Sequence, residues 1–299
     1  MFLLSLIIPV GPTPDNFANL KSWLVDFSHK NVQVIFSIDT DDSETLRSFN
    51  DLLKDLPHAS ESPSIEIVHS TGDGPGSARN SGLENASGKW IAFWDSDDVP
   101  NPSAFLEMIQ EAESYNCDVI FGSYIQMDSL TKKVLSENPY VGFIPPKKIP
   151  LLLLNPGIWR YVFRGDFVAG TRFEPWNMAE DQDYLGRVLS LGGSVVGVSN
   201  CVYLYDRSHL EQLTKKPYAL SDLLLSQEKN AALSLKDKSS YSIWILLFCK
   251  QTLTALRTLP HSKKYAAARV FCQTFFKLKP VRKLLVFRYL YMIIFDRKF

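Results

Sequence analysis

The chain has 299 residues, of which 45% are hydrophobic and 21% charged, a composition that is ordinary for a globular protein and excludes a largely disordered one. Lys and Arg number 32, as do Asp and Glu, but residues 215–299 hold 17 basic and 4 acidic side chains, a net charge of +13, against −13 for residues 1–214. A basic end of this size predicts an anionic partner, either a membrane or nucleic acid.

Short apolar runs alternate with amphipathic segments along the first 125 residues. The apolar start runs into Pro9 without a basic segment before it, so it predicts a buried strand and not a signal peptide. Predicted strands cover residues 3–9, 32–38, 65–68, 90–94 and 118–125. Helical spacing recurs between them, at residues 17–27, 46–56 and 77–86. This alternation predicts βαβ units and a mostly parallel sheet that is buried on both faces.

The second half is less regular and ends in basic helices. The pattern loosens around the prolines of residues 139–150, then predicts a helix over residues 180–191 and short strands near Val195 and Val202. From about Leu220 it is helical and basic. The four cysteines are widely spaced without a CxxC pair, which favours neither a zinc site nor a disulfide framework, so we expect the reducing cytoplasm.

A cluster of carboxylates follows the fourth predicted strand. Trp90–Trp94 is apolar, and Asp95, Asp97 and Asp98 come directly after it. The carboxyl ends of strands are where ligands bind to open α/β sheets. Carboxylates are hard oxygen ligands that suit Mg²⁺ and Mn²⁺, with substrate phosphates completing the shell. The alternative is an Asp-rich turn that binds nothing.

Two further motifs have a functional and a purely structural interpretation. The glycine-rich segment 72–82 precedes the acidic strand, and its backbone N–H groups and Arg79 could bind phosphate, although many such loops only turn the chain. Glu180 and Asp181 open a predicted helix. A carboxylate there could act as a general base, or it could simply complement the helix dipole.

Together and in this order, the motifs resemble family 2 of the inverting glycosyltransferases, which have the GT-A fold, over about residues 3–210. The resemblance rests on five segments that keep the family's order: Ile7–Val10, Ile38–Ser43, Ser77–Gly82, Phe93–Asp98 and Ala179–Asp181. It implies a GT-A catalytic domain over residues 1–214, an α/β unit with a mostly parallel central sheet flanked by helices. A basic helical region, residues 215–299, would follow as an appendage.

The resemblance also implies roles for single residues. Asp39, with Pro9 and Val10, would bind the donor's nucleobase side, and Arg79 would bind its phosphates. Asp95 and Asp97 would hold Mn²⁺ or Mg²⁺ and the diphosphate, with Asp98 beside them. Asp181 would be the general base, with Glu180 as the next candidate. Trp159 falls where the family places an acceptor-side aromatic residue, although a lone Trp is as often part of the core.

Two departures from the family pattern bear on the nucleotide. Gly11 and Pro12 follow Val10 where the family has an aromatic and a polar residue, so base stacking must differ or be lost. The usual aspartate pair after the second strand is Ile38-Asp39 here, which leaves one carboxylate for the base.

The basic end has two interpretations. Residues 263–299 combine aromatic side chains with many Lys and Arg, as in helices that lie on anionic membranes. The alternative is an appendage that packs its apolar face on the catalytic domain. Nucleic-acid binding is not expected, because no recognised module accompanies the charge. A membrane-bound form would be peripheral, on the inner face of the cytoplasmic membrane.

The sequence thus predicts a metal-dependent glycosyltransferase, transferring a hexosyl or N-acetylhexosaminyl group from a nucleotide sugar (UDP by resemblance) to a glycan or glycolipid acceptor. The implied product class is a surface polysaccharide or lipopolysaccharide. A nucleotidyltransferase would use a similar acidic metal site, and a membrane-bound scaffold with this fold would turn over no donor. These two alternatives remain open at this point.

Overall fold

The computed structural model describes residues 1–12, 17–27, 31–54, 63–96, 98–128, 133–137, 140–206 and 219–295 of the chain. The chain divides into two compact units. The first comprises Met1–Ile144, Gly157–Pro175 and Gly193–Leu210, and the second Pro145–Pro156, Trp176–Gly192 and Glu211–Phe299. The second unit thus takes two earlier segments in addition to the C-terminal helices, and the boundary at residue 214 stays a prediction.

The described strands of the first unit form one sheet. They are β1 (Leu4–Val10), β2 (Val32–Ile38), β3 (Ser64–His69), β4 (Trp90–Phe93), β5 (Val99–Pro100), β6 (Val119–Asp128), β7 (Lys133–Glu137), β8 (Gly142–Phe143), β9 (Tyr161–Arg164) and β10 (Val195–Asp206). Their order is β3-β2-β1-β4-β9-β6-β10-β5, with β7 beside β6 and β8 beside β10. Pairing is parallel from β3 through β4 and between β6 and β10, whereas β9 is antiparallel to both of its neighbours.

The helices of the first unit cover the sheet. They are α1 (Ala18–Asp26), α2 (Ser43–Lys54), α3 (Gly74–Asn85), α4 (Pro102–Tyr115) and the short α5 (Gly165–Val168). The side chains of β2 are buried along its whole length, as expected for a central strand with both faces covered. Helix α4 begins at a Pro with Asn101 as its cap, whose side chain accepts a hydrogen bond from the Ala104 N–H.

The second unit is helical. Its elements are a 3-10 segment (Pro146–Leu154) and helices α6 (Glu180–Ser190), α7 (Ala219–Lys236), α8 (Tyr241–Thr258), α9 (His261–Lys277) and α10 (Pro280–Phe295). Helix α8 is largely buried, with side chains from Ile243 to Cys249 at most 4% exposed. No helix in the described ranges combines the length and the apolar character needed to cross a membrane.

The predicted fold class, an α/β unit with a central sheet flanked by helices and further helices after it, is confirmed. The sheet is mixed, since four of its described strand pairings are parallel and five are antiparallel. One further detail differs from the prediction. The two short strands predicted near Val195 and Val202 are one long strand, β10. Its pairing with β6 shifts register between Gly197 and Cys201 and again before Tyr203. Such a bulge interrupts the alternation of side chains, which explains why the sequence pattern reads as two segments.

Candidate functional site

The loop after β4 is fixed at its base by an aromatic cluster. All four residues of β4 are buried, and Trp94, which follows them, is 0% exposed. The Trp94 ring packs against Trp23, Phe27 and Phe105 at centroid distances of 5.2, 5.6 and 4.9 Å. Trp23 and Phe105 meet the ring edge-on, and close packing by three aromatic side chains restricts its orientation. The chain therefore leaves the sheet in a defined direction just before Asp95.

Asp95 is held by the arginine of the glycine-rich segment. Arg79 lies on α3 and is 5% exposed, and its Nη2 donates to Oδ1 of Asp95 at 2.8 Å. The Asp95 side chain is 34% exposed, so it remains accessible to a ligand. A planar guanidinium fixes a carboxylate more tightly than an ammonium group does. The structure thus brings together two residues that the sequence assigned separately to donor binding.

The neighbours of Arg79 explain the rest of the Ser77–Gly82 motif. The Asn80 side chain forms two hydrogen bonds with the backbone of Phe173: Nδ2 donates to the carbonyl at 3.0 Å, and Oδ1 accepts from the N–H at 2.8 Å. A Cβ on Gly82 would lie 2.4 Å from Cγ2 of Ile7 on β1. Only glycine lets α3 approach the sheet this closely. The motif therefore positions Arg79, because Asn80 binds its helix to the backbone of Phe173 and Gly82 lets the same helix pack against β1.

Tyr203 is a site residue that the sequence analysis missed. Its Oη donates to Oδ2 of Asp98 at 2.7 Å and accepts from the Asp95 N–H at 3.5 Å, so it bridges both ends of the acidic loop. Burial raises the pKa of Tyr203 well above its usual value, and the charges of Asp98 and Asp95 add to this. It therefore stays a neutral donor. Tyr203 reaches the loop because β10 pairs with β5, where it faces Pro100.

Trp159 lies in the core beside this tyrosine. It is 7% exposed and stacks on Tyr203 at 4.3 Å and on Tyr205 at 5.6 Å. Tyr124 meets its ring edge-on at 4.8 Å. This placement favours the packing alternative, in which Trp159 supports the tyrosine that binds Asp98. A role in acceptor binding stays a prediction.

Asp39 lies at the ends of two strands and the start of a helix. Its N–H donates to the carbonyl of Val10 at 2.8 Å, and its carboxylate accepts a hydrogen bond from the Gly74 N–H at the start of α3. Burial raises the pKa of Asp39 to about 6; the Gly74 hydrogen bond opposes this rise, and the charge of Asp73 adds to it. Pro9 is the penultimate residue of β1, and the Val10 side chain is fully buried. Val10 therefore contacts Asp39 through its backbone carbonyl, and donor binding by Pro9 and Val10 stays a prediction.

The acidic loop offers oxygen ligands for a divalent cation. Asp97 lies outside the described residues, and Asp98 is 5% exposed, with Tyr203 on one oxygen. Within the described part of the chain, no three His, Cys, Asp or Glu side chains group in a way that would hold a metal. The partly exposed carboxylate of Asp95 is nevertheless the hard donor that Mn²⁺ and Mg²⁺ prefer. The residues fit a metal that takes protein carboxylate together with substrate oxygens.

The second acidic segment begins α6, in the other unit. Ala179 precedes the helix with φ at +69°, a left-handed conformation that non-glycine residues adopt at a cost. Glu180 is 7% exposed and Asp183 is 0% exposed, whereas Asp181 is intermediate. Asp181 is thus the most accessible carboxylate of this turn. Its Oδ1 accepts from the Gln182 N–H at 2.7 Å.

Side chains from α7 hold this acidic turn in place. Oδ2 of Asp222 accepts from the Asn177 N–H at 2.8 Å, before the turn. Lys229 forms an ion pair with Asp183 at 3.0 Å, and Arg187 pairs with the same carboxylate. A buried carboxylate without such partners would cost several kcal/mol. The C-terminal helices are therefore part of the support of the predicted base segment, which the sequence analysis did not anticipate.

Lys250 of α8 adds a third cation to this turn. Its Nζ donates to the carbonyl oxygens of Leu153 at 2.9 Å and Leu154 at 3.2 Å, at the end of the 3-10 segment. Burial lowers the pKa of Lys250 to about 8, and the charge of Asp181 opposes this. Lys250 is therefore close enough to Asp181 for the two charges to interact.

Comparison with known proteins identifies the family pattern. The profile of glycosyl transferase family 2 matches residues 5–165. The succinoglycan biosynthesis protein ExoO of Rhizobium meliloti (strain 1021) is 26% identical over 146 residues, which are 44% of this chain and 42% of that protein. The uncharacterized glycosyltransferase EpsJ of Bacillus subtilis (strain 168) is 23% identical over 181 residues, 54% of this chain and 50% of the relative. The chain spans about half the length of these relatives.

Solved structures share the fold. TarS residues 1–349 of S. aureus, in complex with UDP-GlcNAc, superimposes with a TM-score of 0.73 at 14% identity, over 100% of this chain and 89% of that one. The mannosyltransferase PcManGT of Pyrobaculum calidifontis, in complex with GDP-Man and Mn²⁺, gives a TM-score of 0.53 at 12% identity, over 99% and 88%. The fold is the GT-A fold, as predicted.

Proposed function

Because the chain belongs to glycosyltransferase family 2, we propose that it moves a hexosyl or N-acetylhexosaminyl group from a UDP-sugar to a hydroxyl of a glycan or glycolipid, with inversion. The observation that carries the proposal is the acidic loop at the end of β4. Arg79 holds Asp95 there, Tyr203 holds Asp98, and Asp95 remains accessible. Carboxylates this close together at a strand end repel one another, so their grouping favours a role in binding a cation over a purely structural one.

On the donor side, the protein's task is to bind the nucleoside diphosphate. Asp95 and Asp97 would hold Mn²⁺ or Mg²⁺, with Asp98 as a buried support. When bound, the metal would offset the charge that develops on the leaving diphosphate. Asp39, ionised above about pH 6, would accept a hydrogen bond from the nucleobase. The UDP-GlcNAc bound to TarS supports a uridine donor, and the Mn²⁺ bound to PcManGT supports a divalent metal.

On the acceptor side, Asp181 would take the proton of the attacking hydroxyl. The acceptor oxygen forms a bond to the anomeric carbon while the bond to the diphosphate oxygen breaks, and this single displacement inverts the configuration. The proton passes to Asp181, and the electron pair leaves with the nucleoside diphosphate. Ionised Asp181 suits this step because Lys229, Arg187 and Lys250 supply positive charge around its turn.

The name of one relative supports the proposed product class. ExoO is named for succinoglycan biosynthesis, which supports a role for this chain in surface polysaccharide biosynthesis. The TarS complex with UDP-GlcNAc supports an N-acetylhexosaminyl group among the candidates.

The test is a panel of nucleotide sugars with the full chain and Mn²⁺, measuring nucleoside diphosphate and pyrophosphate separately. We expect nucleoside diphosphate release that depends on an acceptor. Pyrophosphate release would instead indicate a nucleotidyltransferase. Binding of donor without either product, across sugars and acceptors, would indicate a scaffold without catalysis. The configuration of the product, read by the anomeric coupling constant in NMR, tests inversion.

A further inference from the structure

Helices α9 and α10 expose an unusual amount of apolar surface. Eight large apolar side chains between residues 265 and 295 are exposed by 39–76%: Tyr265, Phe276, Val281, Leu284, Phe287, Tyr291, Ile294 and Phe295. Six of these eight lie on α10. Soluble monomers seldom leave large apolar side chains exposed together in this way, and such patches mark interaction surfaces. We call these side chains the α9–α10 face.

The other side of α10 is packed within its unit, which fixes the direction of the exposed side. Val286 and Tyr289 are buried. Nη1 of Arg282 donates to the carbonyl of Leu235 at 3.0 Å, and its Nη2 to that of Asp237 at 2.7 Å, at the end of α7. Arg282 is thus a helix cap, not a surface cation. A helix that is apolar on both sides, with one side already packed, needs a second apolar environment.

The charged side chains of α9 and α10 have one sign. From Lys238 to Phe295 the sequence contains no Asp or Glu. Exposed cations lie on the same two helices and on the link between them: Lys263, Arg269, Lys277, Lys279 and Arg288. A partner must therefore accept apolar side chains and supply negative charge.

We propose that the α9–α10 face lies on the surface of an anionic lipid bilayer. Headgroup phosphates would neutralise the exposed cations, while the aromatic and aliphatic side chains enter the boundary between headgroups and acyl chains. A second copy of the chain fits less well, because a two-fold contact would bring two positively charged faces together. Single-stranded RNA also fits less well, since Val281, Leu284 and Ile294 have no ring on which a base could stack.

Vesicle co-sedimentation with the full chain tests the proposal. We expect binding to vesicles that contain phosphatidylglycerol at low salt, weaker binding at high salt, and none to vesicles of phosphatidylcholine alone. The apolar pair Phe287→Ser with Tyr291→Ser should weaken binding about tenfold or more, as should the charge pair Lys277→Gln with Lys279→Gln. The residues are exposed, so circular dichroism should be unchanged.

A matched control replaces exposed apolar residues elsewhere. Val141→Ser with Leu191→Ser, at positions 69% and 53% exposed, should bind vesicles like the parent chain. Absence of vesicle binding by the folded parent chain would overturn the proposal. So would vesicle binding that neither the apolar pair of substitutions nor the charge pair weakens. A concentration-dependent dimer that Phe287→Ser with Tyr291→Ser abolishes, without lipid binding, would assign the face to a second copy instead. The assay needs no turnover, so its outcome is independent of the proposed reaction.

Discussion

Two acidic clusters carry the proposed reaction, and they differ in how the protein balances their charge. After β4, Asp95 pairs with Arg79 while Asp98 accepts a hydrogen bond from the neutral phenol of Tyr203. At the start of α6, the single carboxylate of Asp183 pairs with two cations, Lys229 and Arg187. The positive charge of Lys250 interacts with Asp181 in the same turn.

This difference separates two tasks for the same type of side chain. The first cluster keeps a partly exposed carboxylate, Asp95, which can bind a divalent ion that a substrate brings with its phosphates. A turn that is balanced by Lys and Arg can keep one accessible carboxylate ionised without a metal. The first arrangement suits donor binding and the second suits proton transfer.

Metal removal should have the largest effect and should act on the first cluster only. We expect EDTA to abolish nucleoside diphosphate release and excess Mn²⁺ to restore it, because in the proposed reaction the donor diphosphate would bind beside Asp95 through the cation. Turnover assays with the chelated and the reloaded protein measure this. Undiminished turnover in the chelator, with no metal detected in the protein, would contradict the proposed metal dependence.

Replacing Lys250 should have an intermediate effect on the second cluster. Lys250→Met removes a cation near Asp181, so the acid limb of the kcat profile should move to higher pH, and kcat on that limb should fall about tenfold. The KM for the donor should be unchanged.

The matched control for this variant is Lys250→Arg, which stays charged and should keep the acid limb at its position in the parent chain. If Lys250→Met instead lowers thermal stability and leaves the pH profile in place, Lys250 only closes the 3-10 segment.

The smallest expected effect concerns Asp39. Since its pKa is raised to about 6, donor affinity should fall a few-fold as pH decreases through 6 and the carboxylate is protonated. The same shift makes the native state bind more protons between the unfolded value of 3.8 and about 6, so this group lowers stability as pH rises through that window. Asp39→Asn should therefore raise the free energy of unfolding at pH 7 by about 1 kcal/mol, after allowing for partial exposure.

Calorimetric titration with UDP between pH 5 and 8, with Asp39→Asn as the comparison, checks the binding part. The variant should bind more weakly and without the pH dependence. An identical pH dependence in both proteins would assign the titration to another group.

Local patterns were enough to predict the elements of the first unit up to β4, but not α4 or the short strands β5, β7, β8 and β9. β1, β2 and β4 are short apolar runs, and the acidic loop follows the last of these directly in sequence. Glycine-rich and acidic motifs are also local, so Arg79 and Asp95 could be identified, although their contact could not.

The missed residues come from distant parts of the chain. Tyr203 binds Asp98 across 105 positions, and Lys229 binds Asp183 across 46. No local pattern marks them. In the sequence, Lys229, Lys250 and Arg282 look the same as the solvated cations of the basic helical region, residues 215–299. Their burial and partners depend on tertiary packing, which a count of charge does not contain.

A comparison of Asp95→Asn with Asp181→Asn tests the central claim most directly. In each variant one would measure the binding of UDP with Mn²⁺ by thermal shift, and kcat by nucleoside diphosphate release. Asp95→Asn should lose the Mn²⁺-dependent shift, whereas Asp181→Asn should keep it and lose at least about 100-fold in kcat. Near-normal turnover by Asp181→Asn would contradict the assignment of Asp181 as the general base, and Glu180 would be the next residue to test.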